Sequence, residues 1–151
     1  MVCPYARGAL DRGRIFAHHL AIDPQYSADK RPYCATALRG IAESFAAFTA
    51  DDRFWSCLLV TVSGVEPHEY RHVLNGAYGD VKMPLLRARL MVGAFHTLSN
   101  RTSRRTTVLY PLRAPVPFFA IRHLLEEDAA SLAENEEFLA VHREHFPPVA
   151  K

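Results

Sequence analysis

No run of the sequence reaches the ~20 consecutive apolar residues that a membrane-crossing helix needs. The opening stretch "MVCPYARGALDRGR" lacks the apolar heart of a secretory signal. Cysteine is scarce: Cys3, Cys34 and Cys57 form no Cys-x-x-Cys pair, and their odd number points to reduced thiols rather than a disulfide framework. Charge of either sign is not in excess. Lys+Arg 18 against Asp+Glu 16 leaves a formal +2, too little for a general nucleic-acid-binding face, which needs concentrated positive charge. There is no Gly-x-Ser-x-Gly, no Gly-x-Gly-x-x-Gly and no phosphate-binding P-loop. Internal repeats and low-complexity tracts are missing as well. These absences set the expectation of a soluble, cytoplasmic protein that binds neither nucleic acid nor membrane.

What is present is apolar material for one core. Hydrophobic residues make up 49% of 151 residues, so residues 1–151 read as a single domain. Pro4 and Gly13 bracket a short helix over residues 4–13. A strand is expected over 14–22, ended by Asp23-Pro24. In residues 34–52, Leu38, Ile41, Phe45 and Phe48 recur at helical spacing. Residues 53–65 are apolar and β-branched, as in a buried central strand. A second helix begins near Pro67 and is expected to break at Asn75-Gly76 and again at Gly79-Asp80. Pro84 argues against a straight helix over residues 81–89. Strands are predicted over 90–96, 106–112 and 116–124, and one long helix over 126–146, packing through Leu132, Phe138, Leu139, Val141 and Phe146. The order α-β-α-β-α-β-β-β-α predicts an α+β domain with a mainly antiparallel sheet covered by helices.

Several residues are candidates for chemistry. Alternation along residues 90–96 places Val92, Ala94 and His96 on one face. An imidazole beside small residues suits an axial iron ligand above a flat molecule, or simply a strand cap that satisfies backbone groups. Arg101, Arg104, Arg105, Arg113 and Arg122 could bind carboxylate or phosphate in bidentate fashion, or form ordinary surface pairs. Cys3 precedes a helix start, where a thiol is acidified and can ligate a metal, or it is a buried structural thiol. Of the neighbours His18 and His19, only one can line a pocket. His68-Glu69-Tyr70-Arg71-His72 matches His-Glu-x-x-His, a short zinc-hydrolase motif that also arises by chance.

Two stretches carry a resemblance. "VCPYARGALDRGRIF" and "LMVGAFHTLSNRTSRR", the latter followed by "TVLYPL", resemble in order the YqcI/YcgG-like proteins. Those have a Cys-Pro-Phe type motif before a helix and strand, then a His-Pro-x-Ser-Ser-Arg type segment, an arginine pair and an apolar strand. The chain looks closer still to an uncharacterised domain family with VCPF, GEFHP and PLRSPVP-x-x-AIRH motifs. Its counterparts here are Val2-Cys3-Pro4-Tyr5, Gly93-Ala94-Phe95-His96, and Pro111 to Pro117 continuing to Ala120-Ile121-Arg122-His123. Thr97 stands where the pattern has proline, and Tyr5 where it has phenylalanine.

The better-known YqcI/YcgG-like members are haem-dependent oxygenases of natural-product biosynthesis that oxidise an amino or guanidino nitrogen. The resemblance therefore implies heme b, O2 or peroxide, and a small amine- or guanidine-bearing substrate. N-oxygenation or N–N bond formation would be the reaction, and a homodimer is among the assemblies it allows. It makes His96 the first candidate axial ligand and Cys3 the second, and Arg113 a second catalytic candidate. Arg101, Arg104, Arg105 and Arg122 become candidates for propionates or a substrate carboxylate. The haem would lie on the Val92-Ala94-His96 face under Phe118, Ile121 or Phe16. The rival expectations are a non-catalytic small-ligand or partner-binding domain and, on His68 and His72, a zinc hydrolase.

Overall fold

Asp29 sets the start of the longest helix. Its backbone is extended and its carboxylate accepts the Arg31 amide at 3.1 Å, satisfying one of the first-turn donors that have no intrahelical partner. In the computed structural model, which describes residues 4–23, 29–100 and 110–147, α2 runs Lys30–Phe48. It begins ahead of the apolar stripe because the cap, not the stripe, sets its first turn. Pro32 is tolerated there because an early helical N–H has no carbonyl to bond. Cys34, Ala35, Leu38, Ala42 and Phe45 are buried along one side. Phe48 continues the stripe in sequence, yet it is 74% exposed and touches only the edge of Phe16 among described rings.

Helix α1 (Pro4–Asp11) leads into β1 (Ile15–Ala21), and α2 then crosses to β2 (Cys57–Ser63). A helical crossover returns the chain in the same direction, so β1 and β2 pair in parallel. β3 (Leu90–Phe95) and β4 (Phe118–His123) complete a sheet of order β1-β2-β4-β3, with β4 antiparallel to both neighbours. The sheet is therefore mixed, and the class is α+β. One consequence positions the site: β1, β2 and β3 all end at the same edge of the sheet. Gly64, just past β2, has φ +81°, and a Cβ there would lie 1.9 Å from the Ile22 carbonyl oxygen. Only glycine lets the two strand ends meet so closely.

Helix α3 departs from the sequence expectation. After a 3-10 turn at Pro67–Glu69 and a π-helical turn at Arg71–Asn75, it runs unbroken over Gly76–Arg87, through both glycines and Pro84. Tertiary contacts override local propensity here. Val81, Lys82, Leu85 and Leu86 are buried, and the Arg31 stem lies against Gly76, where a Cβ would come within 2.7 Å of it. That clearance lets the Arg31 fork reach both Asp80 oxygens, at 2.7 and 2.6 Å.

The predicted final helix is also corrected. It is a 3-10 turn at Glu126–Asp128, then α4 (Ala129–Leu132), then α5 (Glu136–His145). Extended Asn135 separates the two helices and caps α5 by accepting the Phe138 amide at 3.1 Å. Of the predicted strand over 106–112, only 110–112 is described; residues 111–112 form a turn.

The main core lies between the sheet and α2 and α3. A smaller cluster, Leu86, Leu124, Leu132 and Val141, joins α4 and α5 to the body with Met83, Met91, Phe138 and Phe146. Among the described residues no helix is long and apolar enough to cross a membrane.

Candidate functional site

His96 follows β3 directly and keeps its alternation, so it shares a face with Val92 and Ala94. This is the face that α2 and α3 cover. Val92 and Ala94 belong to the same buried cluster as Leu38, Phe45, Val81 and Leu85, and His96 itself is 0% exposed. The expected flat ligand therefore does not lie against Val92 and Ala94: helices already occupy that surface. Phe118, expected to cover it, is on the opposite face, stacked on Phe95 with centroids 4.6 Å apart.

The imidazole is held in a defined state. Nε2 is 2.9 Å from Asn75 Oδ1. An amide oxygen only accepts, so Nε2 carries the hydrogen and donates it. Nδ1 then retains its lone pair, and it is buried with no hydrogen-bond partner among the described residues. Burial, and secondarily the Arg71 charge, push the His96 pKa down, which keeps the ring neutral. Tyr70 packs on it with centroids 5.4 Å apart. Asn75 closes the π-helical turn, a local geometry that recurs at functional sites.

Arg113 is brought to the same end of the sheet. The His96 amide donates to the Leu112 carbonyl at 3.2 Å, and the Ser99 amide donates to the His96 carbonyl at 3.2 Å. Arg113 Nε donates to the Ser99 carbonyl at 2.9 Å, and its guanidinium stacks 3.8 Å from the Tyr110 ring centre. His96, Asn75, Tyr70, Ser99 and Arg113 thus form one connected group.

Other sequence candidates fall elsewhere. Arg122 pairs in register with Met91, five residues back along β3 from His96, or roughly 16 Å at strand rise. It points to the other face and makes a two-pronged pair with Asp128, which is 4% exposed. Arg122 is therefore a clamp between β4 and the turn after it, and the structure does not bring it together with His96. Cys3, Arg101, Arg104 and Arg105 lie outside the described residues. His18 and His19 are both exposed, and His19 bridges Thr61 and Ser63 at 3.0 Å each.

His68 and His72 sit in a 3-10 turn and a π-helical turn. They do not share the α-helical face that the i, i+4 zinc spacing presupposes. Glu69, the base of that motif, accepts from Lys30 at 2.7 Å and from the Glu66 amide at 2.8 Å. Among the described residues no group of three His, Cys, Asp or Glu is placed to hold a metal ion.

Sequence reasoning missed Asn75, Tyr70 and Ser99. Asn75 stood in an Asn-Gly pair that reads as a turn, and nothing local links it to a histidine 21 positions later. Lys82 was also missed. It is 3% exposed and donates to the Val92 carbonyl at 3.4 Å, at the open edge of β3.

The fold and this strand-end group define a one-domain α+β protein with a buried, lone-pair-bearing histidine at the carboxyl edge of its sheet. The chain belongs to the family described as a domain of unknown function, DUF6875, whose model matches residues 1–151. No curated protein and no solved structure matches the chain.

Proposed function

We propose that the protein is a cytoplasmic haem-dependent oxidoreductase acting on a nitrogen of a small amine- or guanidine-bearing metabolite in natural-product biosynthesis, with His96 holding the iron. The observation that carries this reading is the state of His96: neutral, buried, with Nδ1 unpartnered among the described residues and the opposite N–H fixed by Asn75. A ligating histidine normally donates its other ring N–H to an oxygen acceptor, which sets the tautomer and raises donor basicity. The donor chemistry therefore fits iron. The resemblance of the Cys-Pro and Phe-His segments supplies the choice of haem over another metal.

When bound, the haem supplies the activation of O2 or peroxide. The chain's own residues do the rest. His96 presents an uncharged nitrogen because burial disfavours its proton. Asn75 keeps that nitrogen from rotating away. Arg113, a cation at the same sheet edge, is suited to pair with a substrate carboxylate.

A second reading is favoured by one observation, the close packing of Val92 and Ala94 under the helices. It is a non-catalytic domain that binds a small ligand or a partner. An absorbance spectrum decides between them. Purified protein, alone or after hemin addition, is expected to show a Soret band at one haem per chain. His96→Ala should abolish the band, and Asn75→Ala should weaken hemin affinity about tenfold or more. Protein that takes up no hemin sinks the haem reading and leaves the binding domain.

A further inference from the structure

His123 ends β4 at the sheet edge opposite His96, beside the start of β3. A cavity of about 170 Å³ opens there, lined by Arg53, Arg89, His123, Leu124 and Phe146. We propose that this cavity is a binding site for a small oxyanion, of the phosphate or short hydroxycarboxylate class, independent of the chemistry at His96.

Charge is the first support. Neither guanidinium has a carboxylate partner among the described residues. Arg53 Nε donates to the Ala50 carbonyl at 3.1 Å. Arg89 donates through Nε to His145 Nδ1 at 3.3 Å and through Nη2 to the His145 carbonyl at 3.2 Å, with its guanidinium carbon 5.8 Å from the Phe146 ring centre. Both stems are anchored on neutral acceptors, while further N–H donors of each fork have no partner among the described residues. Asp52, the chain neighbour of Arg53, is committed to Arg14 at 2.6 Å. Two anchored forks with no counter-ion make a cradle for oxygen anions, and the apolar walls of Leu124 and Phe146 strengthen the attraction.

The second support is conformational. Arg89 is the one non-glycine residue with positive φ among the described residues, at 61°. Such a conformation costs about 1 kcal/mol for a side chain of this size and is favoured for glycine. Here it aims an arginine into the cavity.

The third is the hydrogen-bond state of His123. Thr49 Oγ1 gives its hydrogen to the Phe45 carbonyl at 2.7 Å and accepts from His123 Nε2 at 2.7 Å. Nδ1 therefore offers a lone pair. Two cations and one neutral acceptor match an anion that also carries a hydroxyl, such as hydrogen phosphate or glycolate. Size agrees. At about 30 Å³ per water, the cavity matches a handful of heavy atoms, well below the several hundred Å³ of an ordinary cofactor pocket.

The test is NMR titration of the full-length protein with sodium phosphate and, separately, sodium glycolate, each against sodium chloride at equal ionic strength. The His123 ring protons are followed. Saturable shifts at one anion per chain are expected, and the tighter of the two anions names the class. Arg53→Gln should weaken binding at least tenfold, and Arg53→Lys by less. Circular dichroism melts of both variants should match the parent, since Arg53 is an exposed loop residue. Shifts no different from chloride, or unchanged affinity in Arg53→Gln, would overturn the proposal. Neither result bears on hemin uptake at His96.

Discussion

His123 is 5% exposed, and its pKa is pushed down to about 4 by burial and, less strongly, by the Arg53 charge. In the unfolded chain the same imidazole titrates at its ordinary value, about 6.5. Between these two values the unfolded chain binds a proton that the folded chain refuses. The stabilising contribution is complete above pH 6.5 and is lost progressively as pH falls towards 4. By linkage it amounts to about 2 kcal/mol between pH 7 and pH 4.5. Urea unfolding of the parent and of His123→Gln at both pH values checks this. The variant is expected to be less stable at pH 7 but to lose about 2 kcal/mol less on acidification. Parallel losses in the two proteins would show that His123 is not the titrating group. His96 shifts in the same direction, so a residual slope in the variant is expected.

Among the elements, α5 is the one whose start depends most visibly on a single side chain. Asn135 accepts the Phe138 amide, and replacing such a cap with alanine costs about 1 kcal/mol. Asn135→Ala should lower the urea midpoint accordingly, with an unchanged denaturant slope, and Asn135→Asp should retain most of the stability. An alanine variant as stable as the parent would mean that tertiary contacts alone fix the helix start. This boundary was hidden in the sequence because Leu132, Leu139 and Phe146, spaced by seven residues, still fit one helical stripe. The strands were more legible: β1, β2, β3 and β4 each fall inside an apolar or alternating run bounded by turn residues. α3 was not, since Gly76 and Gly79 advertise a break and the contacts that override them, Arg31 with Asp80 among them, are 49 residues apart in sequence. The same limit applies at the site. His96 could be picked out at the end of an alternating strand. That its face is roofed by α2 and α3, and that Asn75 holds its N–H, are facts of tertiary placement. Arg122 looked like one of a set of free cations, and only the turn at Glu126–Asp128 reveals its partner.

For the whole molecule, the division of the core into two clusters makes a prediction about its dynamics. The larger cluster ties all four strands to α2 and α3. The smaller has four buried members among the described residues, and it joins α4 and α5 to the body with help from the His142 and His145 contacts to the Leu125 and Leu86 carbonyls, at 3.0 and 3.1 Å. Opening α5 exposes little of the main core, so its free energy of opening should lie below that of global unfolding. Native-state hydrogen exchange is expected to show α5 amides opening at lower free energy than those of the two central strands, β2 and β4. Val141→Ala, which removes two buried methyl groups from the small cluster, should lower the α5 value by about 2 kcal/mol. It should leave exchange by local fluctuation in β2 and β4 unchanged. If α5 and β2 amides share one opening free energy in the parent and fall together in the variant, the molecule unfolds as a single unit and the two clusters are not separate in energy.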